Sequence, residues 1–385
     1  MTWNPNTTVT INGVDYTQKT LNGVSINFGR NNVWEQARSS YASIEIINFN
    51  NIDEPFNLNQ SVVIKVKDSA NADVIIFTGK ITDIQNAVVF SSSATKIAVQ
   101  RITALGPFAD MARTVISGNW SKEYDDDRIN RIFTLAGVTV DTVDAGVYEF
   151  TSKTAPLNDS YTYAAYYATM GLGYIYETND GKVGYANELR RSDDADVNGY
   201  FPIPSQAILT NGITSNLTLS NLANDISLEY KANAVVTDTD ATSITQYGIR
   251  SLDLRTELEL STQASAQLER YLILRSIPRL NLSTFQVELG IGKLTNAQLD
   301  ELLAMYMGKP IELSALPNAI YSGTYRGFVE GWNFTLNRFG ASLGLITSEA
   351  TLSLIPEIWA NVTATIAWDD LSTTLTWNDL IEEYL

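Results

Sequence analysis

The segments SVVIKVKD, ADVIIFTGKITDIQ and ATKIAVQRITALG follow one another between residues 61 and 106, each alternating apolar and polar side chains with period two. A helix would scatter such a pattern around its circumference, so this stretch is committed to pleated strands. TVTING, VDYT, GVSINFGR and YASIEIINF upstream share the habit, with Ile44, Ile46 and Phe49 along the last of them. Asn-Gly recurs at Asn12-Gly13 and Asn22-Gly23, the dipeptide that accepts positive φ in hairpin turns. Residues 1–118 are therefore predicted to form a small antiparallel barrel or sandwich.

The pattern changes after Ser121. DDDRINRIFTLAGV places Asp125, Asp126 and Asp127 before apolar Ile129, Ile132, Phe133 and Ala136, with Gly137 as a stop, which predicts a helix capped and dipole-matched by its acids. DSYTYAAYYATMG predicts a second helix ending at Gly171, and Asp180-Gly181 joins two short strands in YIYETNDGKVGYAN. This α+β unit is assigned to 119–204, closed by RRSDDADVNGYFPIPSQ, which reads as a boundary loop. Strands resume in ISLEYKANAVVTD and ITQYGIRSLDLRTEL. Helices are expected in STQASAQLERYLILRS, capped by Ser261 or Thr262, and in TNAQLDELLAMYMG, from Thr295 to a stop at Gly308. KPIELSAL, SGTYRGFVEGWNFTLNR and ASLGLITSE complete a second barrel over 205–350.

What chemistry could this chain carry? It has neither cysteine nor histidine, which removes disulfides, thiolate and imidazole metal sites and His-dependent nucleophilic catalysis. Only carboxylate, Lys or Tyr chemistry is left. Asp125 to Asp127 are a candidate metal cluster that helix capping already explains. Asp194, Asp196 and Gly199 resemble a calcium loop but lack its closing glutamate, and a solvated loop accounts for them. Glu330 in FVEGW is the carboxylate to inspect for glycoside hydrolysis, since flanking aromatics would raise its pKa; a strand-edge hydrogen bond is the plainer reading. Tyr161, Tyr163, Tyr166 and Tyr167 fall at helical spacings suited to sugar stacking, core packing or a subunit contact. No catalytic residue, metal or cofactor is assigned. With 26 Lys plus Arg against 43 Asp plus Glu, net −17, the surface repels phosphate backbones and specific nucleic-acid binding is not expected. No basic stretch followed by an apolar run opens the chain, and no stretch is long and apolar enough to span a bilayer, so a soluble chain without an export signal is expected.

In order, FGRNNVWEQARSSYASIEIINFN, IIFTGKITDIQ, TKIAVQRITALGPFADMAR, DRINRIFTLAGV and YATMGLGYIYETNDGKVGYANELRR resemble the minor tail protein family of long-tailed bacteriophages. That family is similar in architecture to baseplate hubs and the late control gene D proteins. NDISLEY, TQYGIRSLDL, YLILRSIPR and FVEGWNFTL continue the order, so the resemblance runs from about 20 to 350. It implies a mainly β fold with an α+β insertion: two hub-type antiparallel β-barrels and an inserted helix/strand unit. It also implies a non-enzymatic virion protein at the tail tip, assembled in the host cytoplasm into a ring, a trimer, around the DNA conduit. Partners would be the distal tail protein, the tape measure protein and tail fibre or spike proteins, with DNA passing through unbound. Some hubs carry a downstream peptidoglycan-cleaving domain, for which a chain ending at Leu385 leaves no room.

Residues 351–385 carry a tryptophan repeat, Trp359, Trp368 and Trp377, spaced nine apart. Nine positions turn successive side chains to opposite sides of a helix or strand, so one element cannot present all three on one face. A turn at DDLS would make a ribbon, with Ala364, Ile366 and Trp368 on one strand and Thr373, Leu375 and Trp377 on the next. Such a ribbon is marginal alone and needs a surface. The expected interface residues are Trp359, Trp368, Trp377, Leu371 and Leu380 in this docking tail, with Tyr166 and Tyr167 on the insertion unit. A glycan-binding aromatic ribbon is the rival reading.

Overall fold

The computed structural model describes residues 3–352 apart from 17–20, 50–55, 92–95, 209–212, 232, 283, 291 and 338–339. The protein is mainly β, 44% strand and 23% helix. Its backbone is a 12-stranded sheet. From one edge the strands run Phe201–Ile203, Pro310–Leu313, Tyr325–Asn337, Leu21–Gly29, Tyr41–Phe49, Lys96–Leu105, Asp73–Ser91, Ser61–Lys67, Thr8–Ile11 and Val14–Asp15. Gly340–Glu349 branches off Tyr325–Asn337 and pairs in turn with Phe285–Glu288.

Period-two patterning sets this register. Val62, Ile64 and Val66 are buried while Lys65 and Lys67 between and beyond them reach Asp73 at the surface. Asn12 and Gly13 both take positive φ, 48° and 82°, and pair Ile11 with Val14. Asn22-Gly23 makes no turn: the strand Leu21–Gly29 runs through it, with a register shift between Leu21 and Gly23. Strands assigned to the first and second barrels are joined directly, since Tyr325–Asn337 lies antiparallel to Leu21–Gly29 with Trp332 opposite Phe28.

Residues 119–204, expected to be the insertion, contain helices Asp125–Ala136 and Ser160–Met170 and a three-stranded sheet of Val140–Val143, Val183–Ala186 and Tyr174–Glu177. Gly137 ends the first helix in the left-handed conformation, and Asp159 caps the second by accepting from the Thr162 N–H. Val183–Ala186 and Tyr174–Glu177 pair across the Asp180-Gly181 turn.

Four local expectations change. Arg190–Asn198 is a helix, where a loop was expected. The Asn187 side chain accepts from the N–H groups of Leu189 and Arg190, and Arg190 and Arg191 are each held by a carboxylate, so tertiary ion pairs fix an otherwise weak helix. Ala241–Tyr247 is also a helix, capped by Asp240 on the Ser243 N–H, which leaves only Ser251–Arg255 as strand. Helix Ser261–Arg275 starts after Leu260 without a side-chain cap from Ser261 or Thr262. Thr295 does cap Asn296–Leu303 in a capping box with Gln298, but the helix stops at Leu303, short of Gly308.

Candidate functional site

Two short motifs cross at the centre of the large sheet. Phe28-Gly29-Arg30 ends one strand, and Glu330-Gly331-Trp332 lies within its neighbour, with Gly29 opposite Gly331. The approach is close: a Cβ on Gly29, whose φ is +85°, would lie 2.2 Å from the Glu330 carbonyl oxygen, and one on Gly331 would lie 2.8 Å from the carbonyl oxygens of Arg30 and Phe28. Phe28 and Trp332 stack beside the crossing with ring centroids 4.9 Å apart.

The crossing delivers Arg30 to Glu330. Arg30 Nε donates to Glu330 Oε2 at 2.6 Å, and Arg191 Nη2, from the insertion-side helix, donates to the same oxygen at 2.8 Å. Ser348 Oγ donates to Oε1. Both guanidinium groups lie over the Tyr174 ring, at 5.2 and 5.0 Å from its centroid. Burial pushes the Glu330 carboxyl up, and Arg191 and Arg30 outweigh this, so it is held below the usual carboxylate range. Burial likewise lowers Arg30, against the attraction of Glu330. The expected rise in the Glu330 pKa is thus reversed, because the sequence does not reveal two arginines from distant segments.

Glu330 is 0% exposed and both its oxygens are taken, so no substrate can reach it as an acid or nucleophile. What the cluster does is join three regions of the chain: the N-terminal sheet through Arg30, the insertion through Arg191 and the C-terminal strands through Glu330 and Ser348.

Two further buried groups reinforce the insertion. Glu123 accepts from Arg128 and Arg131, and the Arg128 guanidinium lies 5.1 Å from the Trp120 ring and 4.8 Å from the Tyr167 ring. Glu177 accepts backbone N–H groups from Ser40, at 2.7 Å, and from Phe108, which ties the insertion to the large sheet. Glu177 has no cationic partner among the described residues, and burial pushes its carboxyl up to about 7.

The other predicted residues take structural places. Asp125 does not cap its helix; it is buried, accepts from the N–H groups of Val147 and Tyr148 and from the Tyr185 hydroxyl, and is raised by burial against those bonds. Asp194 and Asp196 sit on the Arg190–Asn198 helix, where a spacing of two points them apart and rules out the loop geometry of a calcium site. Among the described residues no group of three or more acidic side chains is placed to hold a metal ion. The helical tyrosines are committed inward: Tyr161 donates to the Ala37 carbonyl, Tyr163 to the Pro156 carbonyl and Tyr167 to Glu257. Tyr167 is enclosed in this chain's own core and is corrected as an interface residue, while Tyr166 stays 40% exposed. Trp359, Trp368, Leu371, Trp377 and Leu380 lie outside the described residues. Sequence reasoning missed Arg30, Arg128, Glu177 and Arg191; for Arg30 the preceding glycine was a usable signal, and for the others none was.

No protein-family model and no curated protein matches this sequence. Solved structures do. The 43 kDa tail protein of prophage MuSo2 from Shewanella oneidensis matches with a TM-score of 0.63 and 12% identity, over 90% of this chain and 98% of that one. The tail protein from Neisseria meningitidis MC58 matches with a TM-score of 0.62 and 10% identity, over 91% and 98%. Prophage tail protein gp18 from Listeria monocytogenes EGD-e matches with a TM-score of 0.51 and 11% identity, over 89% and 94%. Nearly end to end, this chain has the fold of phage tail proteins.

Proposed function

We propose that the protein is a structural, non-enzymatic component of a phage tail tip, a hub whose copies close into a ring around the DNA conduit. The observation that carries this reading is the fold correspondence with tail proteins along about nine-tenths of the chain. The buried charges agree with it, since Arg30 and Arg191 lock segments together through Glu330 and leave that carboxylate no free oxygen. In this reading 1–118 and 205–350 are the two barrels, and 119–204 is the inserted unit. Three copies would place six barrels around a hexameric tail, linking the tube to distal tail, tape measure and fibre or spike proteins. Net −17 per chain gives the lumen a field that keeps phosphates moving. Residues 351–385, through Trp359, Trp368 and Trp377, would dock on a neighbouring chain. Negative-stain images of the purified protein should show closed rings, with a matching mass in solution. A monomer at every concentration, without rings on addition of a tail-tube partner, overturns the reading.

A further inference from the structure

A cavity of about 370 Å³ opens between the insertion sheet and the segment 304–307. Tyr174, Tyr176, Tyr306 and Trp332 supply its aromatic walls, and Asn179 and Asp141 supply polar groups at its rim. Two atoms in this lining are left over. The indole N–H of Trp332, a residue 3% exposed, has no hydrogen-bond acceptor, and Asn179 Oδ1 is buried with no donor among the described residues. Buried polar atoms seldom stay unpaired, and an unused donor and an unused acceptor on residues of one lining ask for a ligand that both accepts and donates.

The charges narrow the class. Arg190 at the cavity is engaged by Asp144, and Asp180 by Lys182 at 2.7 Å, so no spare cation awaits a phosphate or carboxylate. A quaternary ammonium would suit the aromatic walls but satisfy neither leftover atom. An extended peptide needs a free strand edge. The Gln36 amide already occupies the one at hand, accepting from the Ile175 N–H and donating to the Gly173 carbonyl. A neutral sugar ring fits what remains, with C–H faces for the aromatics and hydroxyls that both donate and accept.

We infer that the cleft bounded by Tyr176, Tyr306, Asn179 and Trp332 binds a neutral saccharide of one or two rings. The inference is independent of ring assembly.

The test uses the full chain and a panel of glucose, galactose, N-acetylglucosamine and rhamnose, read by saturation-transfer NMR and calorimetry. At least one sugar should bind with a Kd of roughly millimolar, as a small ligand in a shallow aromatic cleft would. Tyr306→Ala should weaken that binding by about tenfold, about 1.4 kcal/mol. Tyr306 is 37% exposed, so its loss should leave the fold intact. Trp332→Phe, which keeps a ring against Phe28 and deletes the N–H, should weaken binding several-fold. Silence from every sugar at about 50 mM, where weak binders of about 10 mM would be mostly bound, means the cleft holds solvent only and overturns the proposal. So does sugar binding unchanged by Tyr306→Ala, or binding of choline or a short peptide in place of sugars.

Discussion

Glu330 and Glu177 are both fully enclosed carboxylates, and their partners send them in opposite directions. Two guanidinium groups hold Glu330 ionised, so Glu330→Gln would leave two buried cations sharing one neutral oxygen. Breaking a buried pair from one side costs about 3–5 kcal/mol, and chemical denaturation of the variant should show a loss of that order. Glu177 is buried with the Ser40 side chain and the backbone N–H groups of Ser40 and Phe108 but no cation among the described residues, and burial lifts its folded pKa to about 7, above the ordinary value of 4.5. Between these values the folded state binds more protons than the unfolded one, so stability falls as pH rises. The contribution is complete below about 4.5 and lost through about 7, and denaturation midpoints measured from pH 5 to 8 should decline over that window. Glu177→Gln should flatten the decline. A midpoint rising with pH, or an unchanged slope in the variant, would contradict this assignment.

At the scale of elements, strands followed their alternation, and two of the helix caps act as the sequence places them, while Asp125 and Ser261 or Thr262 do not cap theirs. Thr295 and Asp159 stand in the sequence as they act in the structure. Thr295→Ala should therefore cost about 1 kcal/mol with little else disturbed, since the capping box lies at the surface. Arg190–Asn198 and Ala241–Tyr247 escaped notice for different reasons. The first is polar with little periodicity and depends on Asn187, Asp144 and Glu330 for its place. The second contains Ile and Thr, which suggest a strand, although Asp240 and Ser243 were a usable cap signal. Gly29→Ala tests the strand crossing. With φ at +85° and a backbone oxygen 2.2 Å from the new methyl, it should destabilise by more than about 3 kcal/mol or yield insoluble protein.

For the whole molecule, the large sheet is a covalently distant partnership, with residues 21–29 beside 325–337. Such pairing makes the N-terminal and C-terminal parts one cooperative body, so heat unfolding of the described portion should give a single transition. The proposed docking tail adds a separate expectation. Deleting 357–385 should abolish rings in negative stain while leaving the far-UV circular dichroism and melting temperature of the remainder unchanged. Rings that persist after the deletion would remove the tail from the assembly model.

The sequence by itself determined the strands of the first hundred residues, the helices Asp125–Ala136 and Ser160–Met170 and the absence of thiol and imidazole chemistry, because periodicity and composition are local properties. Its order of soft motifs also pointed to the tail-protein fold. Only the tertiary structure decided that Phe28-Gly29-Arg30 meets Glu330-Gly331-Trp332, that Arg191 completes the cluster, and that Tyr167 faces inward. The physical reason is that a charge's pKa and a side chain's burial depend on neighbours hundreds of residues away, and no local pattern encodes which distant arginine will arrive.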